Sequence, residues 1–346
     1  MKKKRIKSLD LLRGIAIIAV VIHHSGHYLK DVTSQEQFII STGRYGVNLF
    51  FIISGLVISN VWFSKRQTLS RFYLERIYRI LPLFILGSVI YNFRNYDITV
   101  FLNSLIFTSH LFNFEIGTSV PGGWSIVSEI YFYLLFPLLI SLCSKIKNYQ
   151  ILILANLSFL LFNFLLKPYI SEYLNDIGKS ELFIRNYLFY NFLNQIPLFL
   201  IGIFLYFVIF ENKSMKSYFY IQIPFLLGLQ LVQSGHLFSF SYFDQTSINK
   251  NFYILCSILG LIVFLSVRYN LSISLLDYLG RYSYGIYIFH YLAMNTINYF
   301  SIQNYMNNSN KYLFYYICLM LIFLISTLLA KLFEDALLKN KYRLFK

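Results

Sequence analysis

An all-α polytopic membrane protein of about ten transmembrane helices, both termini cytoplasmic, is the fold the sequence predicts, on three observations. Of its 346 residues, 57% are apolar and 13% charged, and the mean hydropathy is +0.57. Apolar runs near the roughly 20 residues that cross a bilayer recur along the whole length. The Lys and Arg behind the net charge of +15 gather in the short segments between those runs, where they act as topology determinants. In a soluble chain that charge would suggest nucleic acid; here no nucleic-acid partner is implied, and the lipid bilayer is the expected surroundings.

The apolar windows fall at 9–29, 45–63, 78–94, 123–143, 149–166, 187–210, 217–234, 252–267, 282–300 and 312–333. An even number puts both termini on one side, and most of the Lys and Arg make that side cytoplasmic. Lys2, Lys3, Lys4, Arg5 and Lys7 resemble the basic end of a signal peptide, but Arg13 interrupts the apolar region and no small-residue cleavage site follows, so an uncleaved first span is expected. The apolar stretch 101–112 is too short to cross and is interrupted by Asn103, Ser104 and His110; it is expected as a re-entrant or interfacial piece on the outer side. Pro82, Pro137, Pro168, Pro197 and Pro224 lie in or near spans, where kinks are tolerated. Cys143, Cys256 and Cys318 each stand alone, so neither a metal site nor a disulfide framework is expected. No stretch reads as a soluble domain, linker or repeat. Residues 1–346 are therefore expected to form a single transmembrane domain with no soluble extracytoplasmic domain.

Span one carries the first anomaly. Arg13, His23 and His24 sit in an otherwise apolar helix, and ionisable groups in hydrocarbon cost about 2.5–3.5 kcal/mol on insertion scales, so they face a bundle interior or a wet cavity and mark function. Eleven residues separate Arg13 from His24, about 1100° and roughly 16 Å of helix, which puts them on one face half a bilayer apart. His23 points about 100° away from His24. In span two, Ser54 and Gly55 fall mid-helix, where small residues serve close packing. Before span three, Arg76 and Arg79 lie one turn apart. Snorkelled positive-inside anchors explain such a pair, and so does a phosphate clamp, since guanidinium forks match phosphate oxygens. Span four opens Gly122-Gly123-Trp124-Ser125, with Glu129 about 9 Å below the outer boundary. His24 comes out at similar depth, so the two are expected to meet, either as a base with its orienting carboxylate or as a structural hydrogen bond. In span nine, His290 lies near the midplane with Tyr287 one turn below it. A lone histidine there is more often a satisfied interior residue than a catalyst.

These stretches together resemble the acyltransferase-3 family of integral membrane acyltransferases. The likeness runs in order through Arg13 and His24, Phe50-Phe51-Ile52-Ile53-Ser54-Gly55, Arg76-Ile77-Tyr78-Arg79-Ile80-Leu81-Pro82, Trp124-Ser125 with Glu129 and Tyr131, and Ser283-Tyr284 leading to His290. The resemblance implies a ten-helix domain of the bacterial cytoplasmic membrane that moves an acyl group, most often acetyl, from cytoplasmic acyl-coenzyme A to a hydroxyl of a cell-surface glycan or its precursor. It implies functional roles for the first-helix Arg and His and for the paired arginines. On this reading His24 and Glu129 are catalytic, and Arg13, Arg76 and Arg79 bind the donor. His23, Ser54, Trp124, Ser125, Tyr287 and His290 support them; no metal and no tightly bound cofactor is involved. His24 either deprotonates the acceptor hydroxyl or takes the acyl group itself. Asn48 departs from the acidic residue common in the second segment, and Glu334-Asp335-Ala336 lacks the proline that often follows the terminal glutamate, so no role is assigned there. Many relatives add an extracytoplasmic hydrolase-like domain. Thirteen residues follow span ten here, so a separate extracytoplasmic transferase or glycan-assembly protein, or a small directly bound acceptor, is the expected complement. The alternative is a transporter or flippase of a lipid-linked glycan or other polar solute, since intramembrane charge also lines permeation paths.

Overall fold

The computed structural model describes residues 6–29, 33–65, 68–93, 98–105, 118–211, 214–233, 247–299 and 311–344, and every regular element among them is helical. In chain order these are α1 (Lys7–Ser25), α2 (Ser34–Thr42), α3 (Gly46–Lys65), α4 (Leu69–Asn92), α5 (Ile98–Leu105), α6 (Trp124–Lys145), α7 (Asn148–Leu160), α8 (Lys167–Asp176), α9 (Glu181–Tyr190), α10 (Phe192–Phe210), α11 (Ile223–Gln233), α12 (Ser247–Arg268), α13 (Ser274–Arg281), α14 (Ser283–Tyr299) and α15 (Lys311–Leu344). Among the described residues, each of the ten apolar windows lies mainly on helix. Six stretches among the described residues are long and apolar enough to cross a membrane, namely Lys7–Ser25, Ser34–Ser64, Trp124–Lys145, Asn148–Asp176, Glu181–Phe210 and Tyr312–Leu337. Tyr218–Leu229 and Tyr253–Arg268 are shorter apolar helices. The chain is a polytopic α-helical membrane protein.

Several boundaries differ from the sequence expectation, each for a local reason. The arginine stretch is not a lead-in to α4 but its first turns: the Thr68 side chain accepts from the Arg71 amide and starts the helix there. The fifth window runs on past 166 because a π-helical turn, Leu161–Leu166, joins α7 to α8 without a break. The sixth window is broken at Asn191, whose side chain leaves the helix to accept from the Leu193 amide. Two short helices have no apolar run to announce them. α2 is started by a capping box between Thr33 and Glu36, and α13 by tertiary packing. Of the 101–112 stretch, α5 holds the first residues; 106–112, including His110, lies outside the described residues, as does His236.

α1 is the hub, packed against α3, α13 and α14, while α10 packs on α3 and α7 and α14 on α15. Its contact with α13 is backbone to backbone. A Cβ on Gly280 would lie 1.7 Å from the Asp10 carbonyl oxygen, and one on Gly14 2.1 Å from that of Leu276. Small residues permit such approach where no hydrophobic drive between helices exists in lipid. Gly55 serves the packing role expected of it, since a Cβ there would meet the Phe199 carbonyl oxygen at 2.4 Å. Leu134, Leu138 and Leu142 on α6, and Leu324, Leu328 and Leu332 on α15, are exposed at four-residue spacing, which makes apolar stripes for lipid. Cys143, Cys256 and Cys318 are buried free thiols.

Candidate active site

The polar groups of the helices stack in three levels along the bundle. At the end where α1 finishes, His24 Nδ1 lies 2.9 Å from His290 Nε2. The rings are tilted by only 16° with centroids 5.1 Å apart, an edge-to-edge arrangement that suits an in-line N–H···N bond. His290 Nδ1 is 2.8 Å from the Tyr287 carbonyl oxygen, and the Tyr291 ring stands against both imidazoles, 4.8 Å and 4.4 Å away by centroid. His23 turns aside and donates from Nδ1 to the Ile40 carbonyl at 2.8 Å. It ties α1 to α2.

One turn further in, the Tyr287 hydroxyl donates to the Gly122 carbonyl at 2.7 Å and accepts from Ser125 Oγ at 2.8 Å. Gly122 has φ of +76°, a left-handed conformation that a side chain disfavours. This turn folds the start of α6 inward beneath the histidines. Trp124, buried at that start, packs against Tyr190 at 4.5 Å between centroids.

The third level is charged. Glu129 Oε1 accepts from Ser54 Oγ at 2.8 Å and from the Tyr133 hydroxyl. Arg79 lies in the combined field of Glu129 and Glu334, with Tyr133 and Tyr284 alongside. Arg76, 7% exposed, lies over the Phe72 and Tyr133 rings, 5.9 Å from each centroid. Its Nη2 is 3.8 Å from Glu75 Oε2, whereas Nε and Nη1 have no hydrogen-bond partner. Arg13 Nη1 is 3.3 Å from Asp10 Oδ1.

The base of α14 is pinned by the last helix. Glu334 Oε1 accepts from the Gly285 amide at 2.6 Å, placing a carboxylate on the positive end of α14. Asp335 accepts from the Tyr282 hydroxyl at 3.3 Å, and Tyr284 donates to the Ile80 carbonyl on α4 at 2.9 Å.

A cavity with about 600 Å³ of open space, counting its mouth, joins the lower two levels; Arg13, Phe50, Phe51, Ser54, Arg79, Ser125, Glu129, Tyr284 and Tyr287 are among the residues lining it. It therefore collects Arg13, Arg79, Ser54, Ser125, Glu129 and Tyr287 from the sequence-based set. His24 and His290 form their own pair beyond Tyr287, Arg76 lies beside Tyr133, and Trp124 caps α6. The expected meeting of His24 with Glu129 does not occur. His290 is three residues beyond Tyr287 and Glu129 four residues inward of Ser125, so the two levels differ by about 10 Å at 1.5 Å per residue. Equal depth assumed that spans begin in one plane, whereas Gly122 and Ser125 at the start of α6 bond to Tyr287, a turn from His290. Sequence reasoning missed Tyr133, Tyr284 and Glu334. The spacing of Tyr133 four residues after Glu129 was the available signal for the first; Glu334 was set aside for want of a following proline.

The sequence model of the acyltransferase-3 family, described as an acyltransferase domain, matches residues 6–331. The peptidoglycan O-acetyltransferase OatA of Listeria monocytogenes serovar 1/2a (strain ATCC BAA-679 / EGD-e) is 29% identical over 176 residues, covering 44% of this chain. The match spans 27% of that relative's length. No solved structure matches the chain. With nearly its whole length matched by the family model, the chain belongs to the acyltransferase-3 family.

Proposed function

We propose that the protein is a membrane O-acyltransferase that takes an acyl group, most simply acetyl, from cytoplasmic acyl-coenzyme A and passes it to a hydroxyl of a cell-surface glycan or its precursor. The similarity to a peptidoglycan O-acetyltransferase supports the glycan as acceptor class. The observation that carries the reading is the cavity, which begins among guanidinium groups and ends at Tyr287, one turn below the histidine pair. In this orientation both termini are cytoplasmic and the histidines lie toward the outer face of a bacterial cytoplasmic membrane. The outer half of the reaction is completed on a directly bound acceptor or by a separate extracytoplasmic transferase.

Arg76 and Arg79, with Arg13, bind the donor's phosphates. A buried guanidinium with two unpaired nitrogens is an incomplete arrangement, since a buried charge needs partners; phosphate oxygens match its fork. Glu129, which the 10 Å step removes from His24, holds Tyr133 and Ser54 beside Arg79 along the path of the pantetheine arm. At the thioester, the acceptor oxygen bonds to the acyl carbon as His24 takes its proton, the carbon–sulfur bond breaks, and the proton passes to the departing thiolate. No observation favours transport over transfer. Purified protein given acetyl-coenzyme A should release free coenzyme thiol and acetylate membrane-derived glycan, read by mass. Glycan translocation with no thiol release overturns the proposal.

A further inference from the structure

The histidine pair carries information about where the protons sit. A backbone carbonyl only accepts, so the 2.8 Å contact of His290 Nδ1 with the Tyr287 carbonyl requires a hydrogen on Nδ1. His290 is fully buried, and the groups in contact with it are His24, the Tyr287 carbonyl and the Tyr287 and Tyr291 rings, with no carboxylate among them. A buried imidazolium without an anion is costly, so the resting ring is neutral and Nε2 is bare. A bare Nε2 only accepts. Across the 2.9 Å contact, the hydrogen therefore belongs to His24 Nδ1, and in neutral His24 the other nitrogen, Nε2, carries the lone pair.

Resting on the acyl-transfer reading above, we propose that His290 is the positioning residue that holds His24 in its Nδ1–H tautomer, making Nε2 the nitrogen that takes the acceptor's proton. The relay runs from the Tyr287 carbonyl through His290 to His24, and each link fixes the next, as the hydrogen bond on one ring nitrogen decides the other. A carboxylate is the usual orienting group for a histidine base. In lipid it would be an isolated charge before substrate arrives; a neutral imidazole is not. When His24 gains the proton, its Nδ1–H···Nε2 bond to His290 becomes charge-assisted and strengthens as the transition state forms. The proton then leaves from the same Nε2 to the thiolate, so donor, acceptor and nitrogen stay in register through the step.

Nitrogen NMR of the full-length protein with ¹⁵N-labelled histidine, in lipid nanodiscs without substrate, tests the assignment on the native chain. The expected result is one imidazole pair coupled across a hydrogen bond, with a protonated Nδ1 donating to a bare Nε2. Donation in the opposite sense, or no coupled pair, overturns the proposal. Free-thiol release from acetyl-coenzyme A supplies a second readout. In His290→Leu, kcat is expected to fall about 100-fold, while KM for acetyl-coenzyme A stays within about twofold, as expected when a transition-state interaction alone is lost. His290→Gln keeps an oxygen that can accept from His24 Nδ1–H and should recover to within about tenfold of wild type. Equal rates in the Leu and wild-type proteins overturn the positioning role. Wild-type protein that shows the coupled pair yet releases no thiol overturns the acyl-transfer reading while leaving the tautomer in place.

Discussion

The two ends of the polar column solve the problem of polarity in lipid in opposite ways. At the level of α4, α6 and α15 the groups are charged, with Arg76, Arg79, Glu129 and Glu334 standing among one another and among tyrosines. At the level of α1 and α14 the partners of His24 and His290 include each other and a backbone carbonyl. The charged end has unsatisfied guanidinium nitrogens; the His290 ring has both nitrogens engaged. An unfinished charged site suits a charged ligand, and a finished neutral one suits a proton that arrives and leaves. On the proposed acyl-transfer reading, depth divides the labour, the charged level holding the donor and the neutral level moving the proton.

The sharpest way to break that division is to remove the base. His24→Ala should abolish transfer, with a loss of about 1,000-fold in kcat and little change in acyl-coenzyme A binding by calorimetry; wild-type transfer would remove His24 from the mechanism. Arg76→Ala should do the reverse, weakening acyl-coenzyme A binding roughly 10- to 100-fold, as expected for hydrogen bonds to a charged group, with kcat at saturation nearly unchanged. Arg76→Lys should recover little, because an ammonium lacks the planar fork. If the two variants instead lose binding and turnover together, the ends are not separate. Glu129→Gln tests the boundary between them. It keeps an acceptor for Ser54 but withdraws the negative charge beside Arg79, and a loss of about tenfold in turnover is expected from a displaced donor arm. A loss as large as that of His24→Ala would return the carboxylate to the base. The smallest effect is expected from Gly280→Ala, which forces α13 off α1 near Asp10 and Gly14, on the stretch of α1 that bears Arg13 and about ten residues from His24. Overpacking of this kind costs about 1–3 kcal/mol, measurable as a lowered unfolding temperature in detergent with residual activity intact.

Much of this was legible in the sequence, and the reason is period and charge. Apolar windows placed helices because lipid leaves few other solutions for a backbone. The eleven-residue step from Arg13 to His24 put them at different levels of one helix, and both ends found polar company. What failed was the comparison of depth between helices. The level of Glu129 follows from where Gly122, at φ +76°, and Ser125 bond to Tyr287, and no periodicity encodes that. The break at Asn191 is written as a side-chain cap rather than as a loss of hydrophobicity. α13 is held by two glycines, Gly14 and Gly280, 266 positions apart in number, a pairing visible only once the helices touch. His290 reads in the sequence as near the midplane and without a partner, whereas it lies level with His24 at the end of α1; a lone histidine gives no direction.

The link between Glu334 and the Gly285 amide spans 49 residues, and it has a consequence for biosynthesis. A chain made from its N-terminus inserts α14, with Tyr284, Tyr287 and His290 aboard, before the carboxylate that secures its first turn exists. Until α15 enters the membrane, the amide at the foot of α14 lacks its acceptor, and the height of the helix rests on the bonds of Tyr284 to Ile80 and Tyr287 to Gly122 without the one that secures its first turn. The histidine pair thus registers the arrival of α15, so that a ribosome-tethered intermediate halted ahead of α15 should insert and yet show no transfer. An otherwise equal intermediate halted after residue 344, with linker enough to clear the ribosome, should be active.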